Sequence, residues 1–219
     1  MAIAIGNKTA SNQNPNGTTQ TLSHTQNVGS GGGLLVVITM QNTVNITGVT
    51  YNGVSMTEIR NENIAGESQR QAAYYLQSPA TGSNDIVFTF DGSQFGSTSI
   101  FAVSLTGAGA SDANGFSGPA NTPVTQNLTI GENSIIYASG ISSNAQNTGY
   151  DIGGSTRPFE FSHNTNLQVR GALSATGLSA GSTSVVTKAD FGNVTNFAVS
   201  LSEAPASGIS EGSWWMIFN

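Results

Sequence analysis

The sequence predicts an all-β fold, a jelly-roll-like β-sandwich built from two degenerate repeats. Three observations carry this. Short runs of Val, Ile, Leu, Phe and Tyr recur along the chain, several with two-residue alternation. No window of about twelve residues has the 3.6-residue period of an amphipathic helix. Finally, a block repeats: 95–105 reads FGSTSIFAVSL and 191–201 reads FGNVTNFAVSL, identical at seven of eleven positions. About ten to twelve strands in such a chain suit a sandwich of jelly-roll type. Two tandem immunoglobulin-like sandwiches remain an alternative on the sequence alone.

The elements follow in order. Residues 1–20 read as a polar N-terminal arm with an Asn14-Pro15-Asn16-Gly17 turn, and 1–5 alternate weakly enough to add an edge strand. The sandwich is placed at 21–204, with repeats at about 21–108 and 121–204. Residues 21–28 form a strand and 29–33 a glycine-rich break. The run 34–40 is apolar on both faces, as a strand covered on both sides requires. Asn52-Gly53 is the signature of a type I′ hairpin; it sets Tyr51 opposite Val54 and Val49 opposite Met56. Strands follow at 70–77, 85–90 and 100–105, the last with Phe101, Val103 and Leu105 inward and Ala102 and Ser104 outward. Residues 107–122, rich in Gly, Ala, Ser and Asn, read as a link. Second-half strands are expected near 123–130, 134–142, 158–162, 167–174, 183–188 and 195–202, with 143–157 a loop. Further repeat matches are Thr25-Gln26-Asn27 with Thr125-Gln126-Asn127, and Ile86-Val87 with Val185-Val186. Residues 205–219 form an aromatic C-terminal tail.

Composition narrows the function. Only 8% of residues are charged, against about 25% in ordinary globular chains. The polar surface is therefore Ser, Thr, Asn, Gln and Gly, which form broad interfaces without desolvating charge. The formal net charge is −6, and Lys8, Arg60, Arg70, Arg157, Arg170 and Lys188 are scattered. Nucleic-acid binding needs clustered cations and is excluded as the main role. There is no cysteine, so disulfides and thiolate metal sites are excluded. No apolar run reaches the length of a membrane-spanning helix, and no membrane partner is expected. The N-terminus lacks the basic and apolar regions of a secretory signal.

Candidate chemistry is sparse. His24 and His163 have no Asp, Glu or His at ligand spacing and read as ordinary strand or loop residues. Glu58, Glu62 and Glu67 fall in one loop and Glu160 on a strand, with nothing to pair them as hydrolases require. Asp91 and Asp151 read as turn residues. The sequence thus predicts no catalytic residue, cofactor or metal. Trp214, Trp215, Met216, Ile217 and Phe218 are the candidate interface, because clustered aromatics are typical binding hot spots; a last core strand is the alternative. Tyr75 and Tyr150 are candidate ligand-stacking residues. Tyr74 and Tyr75 must face opposite ways, so at most one of them serves.

Four segments together resemble a known family. They are Gly33-Leu34-Leu35-Val36-Val37, the Val49-Thr50-Tyr51-Asn52-Gly53-Val54-Ser55-Met56-Thr57 hairpin, Tyr74-Tyr75-Leu76-Gln77-Ser78-Pro79-Ala80-Thr81-Gly82, and Phe101-Ala102-Val103-Ser104-Leu105. Their order is similar to that of β-sandwich structural modules in bacteriophage virion proteins and bacterial surface proteins. The resemblance implies no catalytic signature. With the low charge, the leaderless start and the aromatic tail, the expected function is a non-enzymatic virion structural protein. It would be an exterior or capsid-decoration component that self-associates or docks on other virion proteins. The alternative is a carbohydrate-binding module or adhesin, extracellular or on a cell surface, with glycans as partners bound through loops such as 60–70 and 143–157.

Overall fold

The computed structural model describes residues 2–41, 44–64, 68–121, 123–142, 147–164, 168–189 and 193–204. The first half holds β1 (Ala4–Gln13), β2 (Gly17–Gln26), β3 (Gly32–Met40), β4 (Ile46–Tyr51), β5 (Val54–Ser55), β6 (Thr57–Ile64), β7 (Gln69–Gln77), β8 (Gly82–Gln94) and β9 (Thr98–Thr106). The second holds β10 (Ala108–Asn121), β11 (Val124–Ile130), β12 (Ile135–Ser142), β13 (Asn147–Ile152), β14 (Ser155–Arg157), β15 (Phe161–Asn164), β16 (Gln168–Leu173), β17 (Gly181–Ala189) and β18 (Asn193–Glu203). The described residues contain no helix, and every strand pair is antiparallel.

The strands make four sheets, and the order in the second half reproduces the first. The two five-stranded sheets run β1-β9-β3-β7-β6 and β10-β18-β12-β16-β15; the two four-stranded sheets run β2-β8-β4-β5 and β11-β17-β13-β14. Three cores stack them. Leu34, Val36, Ile38, Tyr74 and Ala102 of the first five-stranded sheet pack on Leu22, Tyr51, Ile86 and Phe88 of its four-stranded partner. Ile136, Ala138 and Ala198 pack likewise on Leu128, Tyr150, Ile152 and Val185. Between the five-stranded sheets lies a third core, the seam. There Leu35, Val37, Tyr75, Phe101, Val103 and Leu105 meet Tyr137, Phe161, Val169, Phe197, Val199 and Leu201. The sandwich is thus four sheets deep.

Burial patterns explain why each strand reads as it does. All nine residues of β3 are buried, because both faces of its sheet are covered. The outer strand β2 keeps clean alternation, with Gln20, Leu22, His24 and Gln26 turned inward and solvent on its other face. Ala102 and Ser104, expected outward, face the outer core and are fully buried. The seam also carries a buried polar cross-link. Gln71 Nε2 donates to Ser139 Oγ at 3.1 Å and to Thr39 Oγ1 at 3.3 Å, while Thr195 Oγ1 donates to Gln71 Oε1 at 3.2 Å. Every member is buried, so the network must be satisfied from within.

Several segments differ from the sequence reading. Residues 1–20 are no arm: β1 pairs with β9 from Ala4↔Thr106 to Gln13↔Thr98. Residues 107–122 are no link: β10 pairs with β18 just as β1 pairs with β9. Both are sheet-edge strands, where small polar residues suffice because one side needs no partner strand. The expected loop 143–157 contains the hairpin β13–β14. Gly153 and Gly154 (φ 60° and 76°) do there what Asn52 and Gly53 (φ 49° and 75°) do at β4–β5. The Thr-Gln-Asn match is not a structural equivalence. Leu22 lies opposite Ile86, and the residue opposite Val185 is Gln126.

Register also gives the molecule two distinct ends. Ala4, Thr106, Ala108 and Glu203 share one, since Ala4 pairs with Thr106, Ala108 pairs with Glu203, and Ala204 N donates to Gly107 O at 2.8 Å. We call this the terminal end. The last residues of β1, β3, β10 and β12 and the first of β7, β9, β16 and β18 lie at the other, the loop end.

The seam yields a first prediction. Phe101 stacks on Tyr137 at 5.5 Å and on Phe161 at 5.1 Å, both across the seam. We predict that Phe101→Ala lowers unfolding free energy by about 3–5 kcal/mol in urea titrations. Phe95→Ala, at a side chain 64% exposed, should change it by no more than about 0.5 kcal/mol.

Candidate functional site

The two five-stranded sheets are flush over the seam core but part at their edges. On one side the edge strand β6 stands beside the edge strand β10, and between them opens a cleft of about 370 Å³. Thr57, Glu58 and Ile59 form one wall, Ala110, Ser111 and Asn114 the other, and Tyr75 with Gln77 the back. The walls belong to different halves, so the stack itself makes the cleft.

Several lining groups are held by hydrogen bonds. Tyr74 and Tyr75 point to opposite faces of β7, Tyr74 into the outer core and Tyr75 into the seam. The Tyr75 hydroxyl donates to Ala108 O at 2.8 Å, and Gln77 Nε2 donates to Ala108 O at 3.2 Å and Gly32 O at 3.1 Å. Burial pushes both tyrosine hydroxyls well above their ordinary range, and for Tyr74 the Glu58 charge adds to it. Both therefore act as neutral donors. Glu58 Oε2 accepts from Tyr74 Oη at 3.1 Å and from Asn61 Nδ2 at 3.2 Å, which holds the carboxylate on the Tyr74 face of the sheet, opposite Tyr75, and leaves the residue exposed. Arg60, ion-paired with Glu62, donates from Nη1 to Asn114 Oδ1 at 2.8 Å and ties the two walls.

The residues singled out from the sequence fall as follows. Tyr75 backs the cleft but is 6% exposed, so it offers no ring face for stacking. Tyr150 is fully buried, donates to Arg170 O at 2.9 Å and meets Phe159 edge-on at 6.0 Å. Neither is a stacking platform; both rings serve the core. Trp214, Trp215, Met216, Ile217 and Phe218 lie outside the described residues, as does Glu67. Glu58 and Glu62 lie on β6 rather than in a loop. Glu160 pairs with Lys8 at 2.5 Å, bridging the opposite side of the seam. Asp91 accepts the Asn45 amide at 2.6 Å and backbone N at 2.8 Å, and these bonds hold its carboxyl below the usual range. Asp151 is lowered first by its hydrogen bond to Lys188 and then by that to Thr156. Among the described residues no group of three His, Cys, Asp or Glu could hold a metal ion. Ser111 and Asn114 were missed because they sit in the segment read as a link. Treating each repeat as opening with an edge strand would have found them.

His24 is the other buried polar centre. Its Nδ1 lies 2.9 Å from Thr9 Oγ1 and its Nε2 3.0 Å from Ser104 Oγ, which in turn donates to Gln26 Oε1 at 2.5 Å. The network ties β1 and β2 to β9 inside the first half; His24, Gln26 and Ser104 are buried and Thr9 is half-buried. No family model, curated protein or solved structure matches this chain.

A pH dependence follows from His24. Burial lowers its pKa, partly offset by its hydrogen bond with Gln26. The unfolded chain therefore takes up a proton near the ordinary value of about 6.5 while the folded chain resists it. The resulting stability is complete above that value and declines as pH falls toward the lowered folded value. Urea midpoints measured from pH 7.5 to 5.5 should fall for the native chain. They should fall less for His24→Gln, which keeps polar atoms but cannot titrate.

Proposed function

We propose that this chain is a non-enzymatic virion structural protein, an exterior or capsid-decoration component of a bacteriophage. It seats its terminal end on a particle or on other copies and turns its loop end outward. The observation that carries this reading is polarity of the body. Ala4 and Glu203 both adjoin Thr106, Gly107 and Ala108, so the chain enters and leaves at one end. Trp214, Trp215, Met216, Ile217 and Phe218 follow in sequence from that end. Aromatic anchors of this kind carry most of the energy of protein interfaces.

Two further features support a structural role. The surface is built from uncharged polar residues, which pack against a neighbour with little desolvation cost. The described carboxylates near the seam are each committed: Glu62 to Arg60, Glu160 to Lys8, and Glu58 to Tyr74 and Asn61. Among the described residues no second carboxylate lines the cleft to complete a hydrolytic pair. The adhesin alternative no longer has Tyr75 or Tyr150 as a platform; its loops 60–70 and 143–157 lie partly outside the described residues.

In sedimentation velocity we expect the native chain to form a defined oligomer. The Trp214→Asp, Trp215→Asp double variant should sediment as a monomer with an unchanged β-sheet circular dichroism spectrum. A monomeric native chain would contradict self-association through the tail. Purified particles without copies of the chain would overturn the virion assignment.

A further inference from the structure

The outermost strands of the two halves are built alike but finished differently. β2 and β11 each end a four-stranded sheet. Leu22 lies opposite Ile86 as Gln126 lies opposite Val185, so Thr21, Ser23 and Thr25 correspond to Thr125, Asn127 and Thr129. Hydrogen-bond direction shows which backbone groups face outward. Ser184 O accepts from Gly153 N on the β13 side, so Asn127, opposite Ser184, turns its N–H and C=O away from β17. Thr125 and Thr129, two positions to either side, do the same. In the first half Asp85 O accepts from Asn52 N on the β4 side, so Ser23, opposite Asp85, likewise points off the sheet.

The first half caps this edge and the second does not. Asn7 Nδ2 donates to Thr25 O at 2.9 Å and Gln13 Nε2 to Thr21 O at 3.3 Å. Asn7 precedes Lys8, opposite Val103, as Ala113 precedes Asn114, opposite Val199. Gln13 lies opposite Thr98 as Ala120 lies opposite Val194, each just ahead of the repeated Phe-Ala-Val-Ser-Leu. Alanine cannot donate. Among the described residues no side chain bonds to Thr125 O or Thr129 O, and Asn127 O takes only Gln126 Nε2 of its own strand, at 3.2 Å. The other edges are guarded in ways natural sheets use. β6 carries Glu58, Arg60 and Glu62, β1 carries Lys8, and β10 carries Asp112, Pro119 and several register shifts. β5, β14 and β15 are very short. β11 has no charge, no proline and no register shift along Val124–Ile130, and Thr125, Asn127 and Thr129 are exposed.

We propose that the β11 edge pairs with β11 of a second copy of this chain, antiparallel about a twofold axis through Asn127. The strand is self-complementary in that register. Thr125 faces Thr129 of the second copy, Asn127 faces Asn127, and each edge-facing residue exchanges both of its backbone bonds, about six in all. Facing threonines favour such cross-strand contact. Two chains of net charge −6 meet at a strand that carries no charge, so none is desolvated or opposed there. The contact is isologous and closes at a pair. A single strand pair buries less than the about 1,200 Å² of a stable interface. It therefore forms transiently between free chains and is independent of the C-terminal contact proposed above.

The chain has no cysteine, so single introduced thiols report the pairing. Facing Cα atoms of a hydrogen-bonded antiparallel pair lie about 5.5 Å apart, within disulfide reach. Asn127→Cys sits on the proposed axis, and Ser23→Cys sits at the same place on the capped edge. Under mild oxidation, read on non-reducing gels, Asn127→Cys should form linked dimers at least about tenfold faster than Ser23→Cys, because pairing raises the effective thiol concentration. Thr125→Cys, which faces Thr129 rather than itself, should be as slow as Ser23→Cys. The same ratios are expected in the Trp214→Asp, Trp215→Asp background, which separates this contact from that of the tail. Adding Thr125→Lys with Thr129→Lys sets like charges opposite each other across the pair. It should bring Asn127→Cys down to the Ser23→Cys rate with an unchanged circular dichroism spectrum. The proposal is overturned if Asn127→Cys is no faster than Ser23→Cys, if Thr125→Cys matches it, or if the lysines leave its rate unchanged. Cross-linking that appears only once the tail is altered means that another segment takes the edge in the native chain, and overturns it equally.

Discussion

The burial of both faces of the two five-stranded sheets organises this molecule. A sheet with one open face can alternate polar and apolar residues; a sheet covered on both faces cannot. This is why β3 is a continuous buried run and why Phe-Ala-Val-Ser-Leu occurs in both β9 and β18. In each copy the Phe, Val and Leu fill the seam, and the Ala and Ser turn to the outer core. The short side chains suit that second role. Ser104 leaves room for His24 and bonds to it, tying the first outer sheet to the central one.

The sequence shows the parts of this plan that depend on apolar pattern. The run 34–40, the Asn52-Gly53 hairpin and the repeated Phe-Ala-Val-Ser-Leu strand are all where periodicity and turn chemistry place them. Less visible are strands stabilised by a neighbour rather than by their own burial. β1 and β10 are edge strands rich in Gly, Ala, Ser and Asn, and their pattern resembles that of a loop. The β13–β14 turn uses Gly153-Gly154, a composition equally common in loops. The Thr-Gln-Asn coincidence shows the opposite failure: three identical residues suggested equivalence, and hydrogen-bond register assigns different partners.

The cleft was harder to read than the fold because no single segment contains it. Glu58 stood out as a carboxylate, but its companions Ser111 and Asn114 are more than fifty residues away on the other half. Tyr75 and Tyr150 stood out as aromatics, and aromatic identity does not reveal whether a ring faces solvent or core. Both are consumed by packing and by hydrogen bonds to Ala108 O and Arg170 O. The site also depends on the stack, since one wall comes from each half. A ligand in the cleft would bind only the stacked state and so stabilise the seam by mass action.

The account stands or falls on the seam being a shared core rather than a contact between two independent sandwiches. Native-state hydrogen exchange in low denaturant measures this directly, because buried strands exchange through the opening of the unit that holds them. The account predicts that amides of β3 and β9 and those of β12 and β18 exchange with one common opening free energy and one denaturant slope. Two separate free energies, with one half opening while the other stays protected, would contradict it.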